Sequence, residues 1–264
     1  MSAVSLKRGE RMLSEATLSK IGNMPAELAR PVRLILFTSD MACEACPDMR
    51  ELALAIKKHT SKIALESYDI VMDRDKSEQY GVKHAPALVV QGTSGQAVTF
   101  YGLIEDMVLD VLLSAIRSVS DSRVWFPDNI RHTLKHLTRD VSIRVFVESD
   151  CIQCRPVAET AVGLGLESGL VSASVIVASS FPDLIKRYGI KTLPKTIFGE
   201  NLHMDGHVTE SEFLEMIFQS EGVKAGPEKK CLICGTSSPD IICQNCKTRI
   251  QAEAVDHKIK SEKR

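Results

Sequence analysis

Apolar and polar positions follow the same order of patterns twice along this chain. Each copy opens with an apolar run typical of a buried β-strand, at residues 32–38 and again at 141–147. Apolar residues at helical spacing follow, then a second strand-like run, a short helix that ends at a Tyr-Gly pair, a strand that starts at a proline, another short strand and a closing helix. This order predicts an α/β fold in which each copy has one mixed central sheet flanked by helices.

Chemically distinctive residues recur in the two copies at a constant offset of 108 positions. A Cys-x-x-Cys pair lies where the first strand turns into the first helix, and a proline follows the first cysteine after 43 residues in both copies. Such self-similarity is the signature of an internal repeat. The matching positions are Cys43 and Cys151, Cys46 and Cys154, Tyr80 and Tyr188, Gly81 and Gly189, and Pro86 and Pro194.

The repeat divides the 264 residues into two units and a remainder. We predict that residues 1–120 form the first unit and residues 121–221 the second. Residues 222–264 are predicted to contain a charged linker, a small four-cysteine metal module and a helical tail. The chain is long enough for two compact domains of about 100 to 150 residues each.

Composition and charge restrict the function classes. Hydrophobic residues make up 44% of the chain and the net charge is -1, which argues against electrostatic capture of nucleic acid or of an anionic membrane. No apolar run approaches the roughly 18 residues that span a bilayer, and the N-terminus lacks the apolar segment of a secretory signal. We therefore expect a cytoplasmic protein that associates with neither membranes nor nucleic acid.

All 8 cysteines belong to Cys-x-x-Cys pairs. In the reducing cytoplasm such pairs indicate redox centres or metal sites rather than structural disulfides. The pairs Cys43/Cys46 and Cys151/Cys154 are predicted to be redox centres, because unpaired N–H groups at a helix start stabilise a thiolate. Cys43 and Cys151 are then the nucleophiles, while Cys46 and Cys154 resolve the mixed disulfide. The alternative is that one or both pairs bind a metal or are inert buried thiols.

The four C-terminal cysteines are spaced Cys-x2-Cys-x8-Cys-x2-Cys and favour a structural zinc site. Four thiolates fit tetrahedral zinc, and this segment is too short to hold a hydrophobic core without a metal. Iron is an alternative because soft sulfur ligands accept both metals. Two further redox disulfides are a third interpretation. The predicted ligands are Cys231, Cys234, Cys243 and Cys246.

Residues from about 20 to 220 resemble the prokaryotic protein disulfide oxidoreductases, glutaredoxin-like proteins with two tandem thioredoxin-fold units. The resemblance rests on PVRLILF, CEAC, YGVKHAPA and YGL in the first unit, and on DVSIRVFV, CIQC, RYGIKTLPK and GHVTESEFLE in the second. It implies a thiol–disulfide oxidoreductase that acts on protein disulfides, binds no organic cofactor and is kept reduced by a thioredoxin-reductase-type flavoprotein. The dipeptides between the redox cysteines, Glu-Ala and Ile-Gln, depart from the family pattern.

The same resemblance implies a role for the two repeated prolines. In the thioredoxin fold a cis-proline loop faces the cysteine pair and leaves the preceding backbone free to pair with a substrate strand. A cis X-Pro bond costs only about 0.5 to 1 kcal/mol, so a tight turn can hold it. Pro86 and Pro194 are therefore expected to be cis, with Ala85 and Leu193 as substrate-facing positions.

The two redox pairs differ in their surrounding charge. Asp40, Glu44 and Asp48 crowd the first pair, whereas Arg155 follows the second. Because negative charge disfavours a thiolate, we predict that Cys151 has the lower thiol pKa and that its disulfide is the stronger oxidant. Screening of these charges by solvent is the alternative.

Two other function classes stay open beside the oxidoreductase. One is a redox-sensing adaptor that presents the zinc module to a partner, and the other is a dedicated electron donor, for example to a peroxidase. Turnover of a generic disulfide favours the enzyme. Redox-dependent binding without turnover favours the adaptor, and strong preference for one acceptor favours the dedicated donor.

Overall fold

A computed structural model of the chain describes residues 13–41, 43–122, 126–222 and 230–262. Most of the predicted linker, residues 223–229, lies outside the described residues, and so do the N-terminal residues 1–12. No helix in the described part of the chain is long and apolar enough to cross a lipid bilayer.

Among the described residues, the first unit contains four strands and four helices. In chain order they are α1 (Glu15–Gly22), β1 (Val32–Thr38), α2 (Cys46–His59), β2 (Ile63–Asp69), α3 (Arg74–Tyr80), β3 (Ala87–Gln91), β4 (Ala97–Tyr101) and α4 (Asp106–Asp121). Strand β1 pairs in parallel with β2 and antiparallel with β3, and β3 pairs antiparallel with β4. The predicted order of elements is confirmed.

The second unit repeats this order after a short helix that bridges the copies. Its elements are α5 (Asp128–Leu134), β5 (Val141–Val147), α6 (Cys154–Glu167), β6 (Val171–Val177), a 3-10 turn (Ala178–Ser180), α7 (Pro182–Tyr188), β7 (Lys195–Phe198), β8 (Leu202–Asp205) and α8 (Glu210–Ser220), with α9 (Gln244–Glu262) beyond it. The predicted helix stops at Gly81 and Gly189 are confirmed, because both glycines adopt the left-handed conformation with φ of 65° and 57°. A capping box formed by Thr209 and Glu212 starts α8.

The two units share one sheet, which differs from the expectation of one sheet per copy. Strands β4 and β6 pair in parallel, from Val98 opposite Ala173 to Tyr101 opposite Ile176. The result is an eight-stranded sheet of order β2-β1-β3-β4-β6-β5-β7-β8. This pairing provides hydrogen-bond partners for backbone N–H and C=O groups that would stay unpaired at the edges of two separate sheets. Hydrophobic periodicity reports which face of a strand is buried, but it carries no information about which edges meet.

Alternate residues of each strand face two different cores. In β1, Leu34 and Leu36 belong to the larger core, which lies under α2 and α4, while Ile35 and Phe37 belong to the smaller core on the opposite face. The period of two in the strand therefore places α2 and α6 on the same side of the shared sheet.

The C-terminal segment packs onto the second unit. Ile242 and Ile250 are fully buried in the larger core. Lys247 reaches Glu215 of α8 at 2.5 Å, and Lys258 reaches the buried Glu210 at 2.7 Å. The predicted helical tail is α9, and it begins between the last two cysteines. The segment thus shares its hydrophobic core with α8.

A close approach of α6 to the sheet depends on Gly165. A Cβ atom at this position would lie 2.6 Å from the Cβ of Ala173 and 3.1 Å from a methyl carbon of Val98, which belong to the two strands that join the units. Glycine weakens an isolated helix, so the sequence of α6 alone indicates a poor helix. The structure shows that the missing side chain allows α6 to lie directly over the junction.

Gly165→Ala is expected to destabilise the protein by about 1–3 kcal/mol, because the added methyl group overpacks the junction. Urea unfolding followed by circular dichroism measures the change. Gly169→Ala is the matched control, since a Cβ atom at that position would have nothing within 4 Å. Equal stability of the two variants contradicts this account of the junction.

Candidate functional site

The first cysteine pair lies between the end of β1 and the start of α2. The two residues form a disulfide with a Cα–Cα distance of 5.4 Å. Cys46 is buried at the first position of α2, whereas Cys43 lies in the preceding loop and is partly exposed. The backbone N–H of Ser39 donates to the sulfur of Cys46 at 3.4 Å. The more accessible sulfur is therefore that of the predicted nucleophile.

The second pair has the same construction. Cys151 and Cys154 form a disulfide with a Cα–Cα distance of 5.3 Å, and Cys154 starts α6. Cys154 is fully buried, while Cys151 is partly exposed. In both units a helix N-terminus with unpaired N–H groups lies under the sulfur atoms, an arrangement that supports thiol–disulfide exchange. The division into nucleophile and resolving cysteine stays a prediction.

Both predicted cis peptide bonds are present, at Ala85-Pro86 and Leu193-Pro194. Ala87 pairs with Phe37, so Pro86 lies beside the carboxyl end of β1, where the first cysteine pair follows. Lys195 pairs with Phe146 and places Pro194 beside the end of β5 in the same way.

Each cis-proline is buried, and the residue before it is half-buried. The structure thus brings each cis-proline loop to the sheet edge that carries its cysteine pair. The substrate-binding role of Ala85 and Leu193 stays a prediction.

The two pairs lie at the same edge of the shared sheet. Strands β1 and β5 run in parallel and are separated by four strand spacings, or about 19 Å. The helices that follow them lie on the same face. Both pairs therefore face the same side of the molecule.

A groove of about 420 Å³ adjoins the first disulfide. Three carboxylates and one guanidinium line it, and the guanidinium of Arg50 donates to the hydroxyl of Thr38 at 3.3 Å. One buried oxygen of Glu51 has no hydrogen-bond partner. The groove is therefore acidic overall. Its lining residues are Ser39, Asp40, Cys43, Cys46, Pro47, Asp48, Arg50, Glu51 and Leu54.

A smaller groove of about 320 Å³ beside the second pair is built by both units. The first unit supplies Asp106, Met107 and Asp110 from the start of α4. The N–H of Met107 donates to the carbonyl of Ser149 at 3.1 Å, two residues before Cys151. The contribution of α4 was not predicted, because no signal in the sequence links residues that meet only through the junction of the sheets.

The start of α4 is held in place by α1. Asp106 adopts a left-handed conformation with φ of 43°, which is strained for a residue with a side chain. The ammonium group of Lys20 donates to the Asp106 carbonyl at 2.7 Å and pairs with Asp110 at 3.0 Å. Asp110 also lies 3.9 Å from Arg155, which pairs with Glu159 at 2.8 Å. Carboxylates thus compensate the positive charge that was expected to favour the Cys151 thiolate.

Aromatic packing fills the junction on the other face of the sheet. The ring of His84 lies 5.7 Å from Phe181 of the second unit and 6.4 Å from Tyr101, measured between centroids. Burial lowers the pKa of His84, helped by the charges of Arg187 and Lys83. Burial raises the pKa of Tyr101 to about 12. Both effects favour uncharged rings that join the units by packing.

The four C-terminal cysteines converge as predicted. Their sulfur atoms all lie within 4.8 Å of one another, and those of Cys234 and Cys243 are 3.6 Å apart. Sulfur ligands at about 2.3 Å from one tetrahedral metal ion are separated by about 3.8 Å, so the cluster can hold a metal ion. The backbone N–H of Cys243 donates to the sulfur of Cys231 at 3.3 Å, a contact that stabilises a thiolate ligand.

The cluster has a buried and a solvent-facing half. Cys231 and Cys246 are buried against the core, while Cys234 is exposed. Hydrogen bonds with the side chain and backbone of Thr236 lower the pKa of Cys234 to about 6. Burial raises the pKa of Cys246, so a nearby positive charge is needed to keep that ligand deprotonated. A bound cation supplies such a charge.

Comparison with known proteins identifies the fold that carries these cysteine pairs. Residues 141–219 match a family model described as a thioredoxin domain. No functionally curated protein matches the sequence.

Several solved structures resemble the chain over most of its length, among them the following two. One is the NTD_N/C domain of alkylhydroperoxide reductase AhpF from Enterococcus faecalis, with 20% identity, a TM-score of 0.70 and coverage of 78% of this chain and 100% of that chain. The other is a protein disulfide oxidoreductase from Aeropyrum pernix, with 23% identity, a TM-score of 0.71 and coverage of 79% of this chain and 94% of that chain. The chain therefore has a thioredoxin-like fold with two Cys-x-x-Cys pairs.

Asp110→Asn is expected to increase the alkylation rate of Cys151 at neutral pH about threefold, because loss of a nearby negative charge raises the thiolate fraction. The rate with iodoacetamide is measured as a function of pH in a chain that carries Cys154→Ser. Asp183→Asn, at the exposed start of α7, serves as the matched control.

The same assay compares Cys151 with Cys43, using Cys46→Ser to expose the latter. Faster alkylation of Cys151 agrees with the charge asymmetry of the sequence. Faster alkylation of Cys43 contradicts it.

Proposed function

We propose that this protein is a thiol–disulfide oxidoreductase that acts on protein disulfides through both cysteine pairs. The observation that carries the proposal is the twofold occurrence of one arrangement: a partly exposed cysteine, a buried cysteine at a helix start, and a cis-proline beside them. The thioredoxin-like fold and the two-unit neighbours support it.

The chemistry follows from the two cysteines of each pair. The thiolate of Cys43 or Cys151 attacks one sulfur of a substrate disulfide, which forms a mixed disulfide and releases the other substrate sulfur as a thiolate that takes up a proton. The thiolate of Cys46 or Cys154 then attacks the mixed disulfide and releases the second substrate thiol. The substrate gains two electrons and the protein pair becomes a disulfide.

The regenerating electrons come from a second dithiol donor, which we propose to be a thioredoxin-reductase-type flavoprotein. The substrate backbone is proposed to pair beside Ala85 and Leu193, the residues before the cis-prolines.

The proposed boundaries of the units are residues 1–120 and 121–221. A cytoplasmic location is supported by the presence of every cysteine in a Cys-x-x-Cys pair, since structural disulfides are rare there.

Electron donation to a peroxidase is the second candidate function. It is favoured by the similarity to a domain of alkylhydroperoxide reductase AhpF. The two candidates share the same chemistry and differ in the breadth of acceptors. A dedicated donor reduces one peroxidase much faster than it reduces generic disulfides.

We propose that the C-terminal cluster binds zinc as a structural ion. Cys231, Cys234, Cys243 and Cys246 would hold it, and zinc would lock this segment against α8 without redox chemistry of its own. The buried position of Cys231 and Cys246 in the shared core supports a structural role.

The wild-type chain is expected to accelerate the reduction of insulin disulfides by dithiothreitol. Cys43→Ser and Cys151→Ser are each expected to lose part of the rate, and the double variant to fall to the uncatalysed rate, because each pair needs its accessible thiolate. The assay follows insulin precipitation by turbidity. Wild-type activity no higher than the uncatalysed rate would falsify the general oxidoreductase.

Purified protein is expected to contain about one zinc ion per chain by elemental analysis. Removal of the ion with a chelator is expected to lower the melting temperature by about 5 °C or more, because two ligands belong to the core of the second unit. Cys234→Ser should lose the metal, whereas Cys43→Ser should retain it. A red protein that contains iron instead of zinc contradicts the proposal that the cluster binds zinc.

A further inference from the structure

Three large apolar side chains in two neighbouring loops of the first unit are mostly exposed to solvent. Met41 is 78% exposed, Val71 62% and Met72 82%. These three residues form the Met41 patch. Exposed apolar side chains that gather at one place mark interaction sites, and methionine adapts its shape to varied partners.

One carboxylate fixes the two loops that carry this patch. The oxygen atoms of Asp69 accept the backbone N–H of Asp40 at 3.0 Å from one loop, and those of Val71 at 2.8 Å and Met72 at 3.0 Å from the other. The bonds from Met72, Val71 and Asp40 lower the pKa of Asp69. The Met41 patch is therefore a built surface whose two halves meet at one side chain.

The patch is also tied to the reactive sulfurs. The hydroxyl of Ser39 accepts the N–H of Met41 at 3.2 Å and donates to its carbonyl at 3.0 Å, while the N–H of Ser39 donates to the sulfur of Cys46. A polypeptide whose disulfide reaches Cys43 must therefore pass close to Met41, only two residues away.

Charge in the adjoining groove limits what such a polypeptide can carry. Asp40, Asp48 and Glu51 line the groove together with the cation Arg50, which donates to Thr38. A cationic side chain complements this acidic lining, whereas an anionic side chain is repelled.

We propose that the Met41 patch and the acidic groove together bind the polypeptide that flanks a substrate disulfide, and that they select segments combining apolar and basic residues. This inference rests on the proposed function, because it names the substrate class of the first site. Anionic disulfides such as oxidised glutathione are poor substrates of this site. This preference for apolar and basic substrate segments is proposed for the first cysteine pair alone.

The second site provides the internal comparison. Beside it, Ile152 is exposed to 84%, but Lys20 and Arg155 lie among the acidic residues there. Arg155 parallels Arg50 of the first groove, but Lys20 offsets one further carboxylate, and no counterpart of the Met41 patch is seen there among the described residues. A weaker preference for basic segments is expected at that site.

The test uses the full chain with Cys151→Ser and Cys154→Ser, so that only the first pair turns over. The probes are three synthetic peptides with an internal disulfide: one with Leu and Lys flanks, one with Leu and Glu flanks, and one with Ser and Lys flanks. Oxidised glutathione is the fourth probe. We expect kcat/KM for the Leu/Lys peptide to exceed each of the others by about fivefold or more.

Two double variants separate the contributions. Met41→Ser with Met72→Ser should abolish the preference for Leu over Ser, and Asp40→Asn with Glu51→Gln should abolish the preference for Lys over Glu. Val255→Ser with Asp256→Asn, on the exposed side of α9, is the matched control and should preserve both preferences.

The outcomes distinguish this inference from the proposed function. Equal kcat/KM for all four probes, with insulin still reduced, overturns the inference and leaves the oxidoreductase standing. Absence of turnover for insulin and for every peptide overturns the proposed function, and the inference with it. A preference that survives in the Met41/Met72 variant assigns apolar selection to another surface and overturns the role of the patch.

Discussion

The parallel pairing of β4 with β6 determines how the two units of this protein are arranged. It joins two four-stranded sheets into one, so that β1 and β5 run in the same direction and end at the same edge. Both cysteine pairs then open on one side of the molecule. The pairing also brings the start of α4 against the second pair, which makes that site a product of both units. Gly165 allows α6 to cover the junction closely.

The two redox pairs share their internal design and differ in their surroundings. In each, the helix start and the cis-proline are set by a local sequence that the repeat preserves. The neighbouring charges and apolar side chains come from elements that the repeat does not preserve. The first pair borders an acidic groove and exposed methionines, whereas the second borders carboxylates compensated by Lys20 and Arg155. The two pairs are therefore expected to perform the same chemistry on different substrates.

The four-cysteine cluster connects metal binding to the packing of the second unit. Two of its cysteines face the shared core, and α9 is fixed to α8 by the ion pairs of Lys247 and Lys258. A cation at the cluster would offset the cost of burying thiolates at Cys231 and Cys246. Binding of a metal ion would therefore be linked to the stability of this packing, without contact between the ion and the redox pairs.

Local structure and the positions of the cysteine pairs could be predicted from the sequence. Strands β1 and β5 begin and end at the predicted residues, the helix stops at the Tyr-Gly pairs formed, and the four C-terminal cysteines converge as their spacing predicted. These features depend on neighbours in the chain. The three-dimensional structure was needed to show that the sheets join, that Gly165 lies over the junction, and that Asp110 approaches Arg155. Such contacts arise when distant segments meet, and periodicity or spacing within one segment does not specify them.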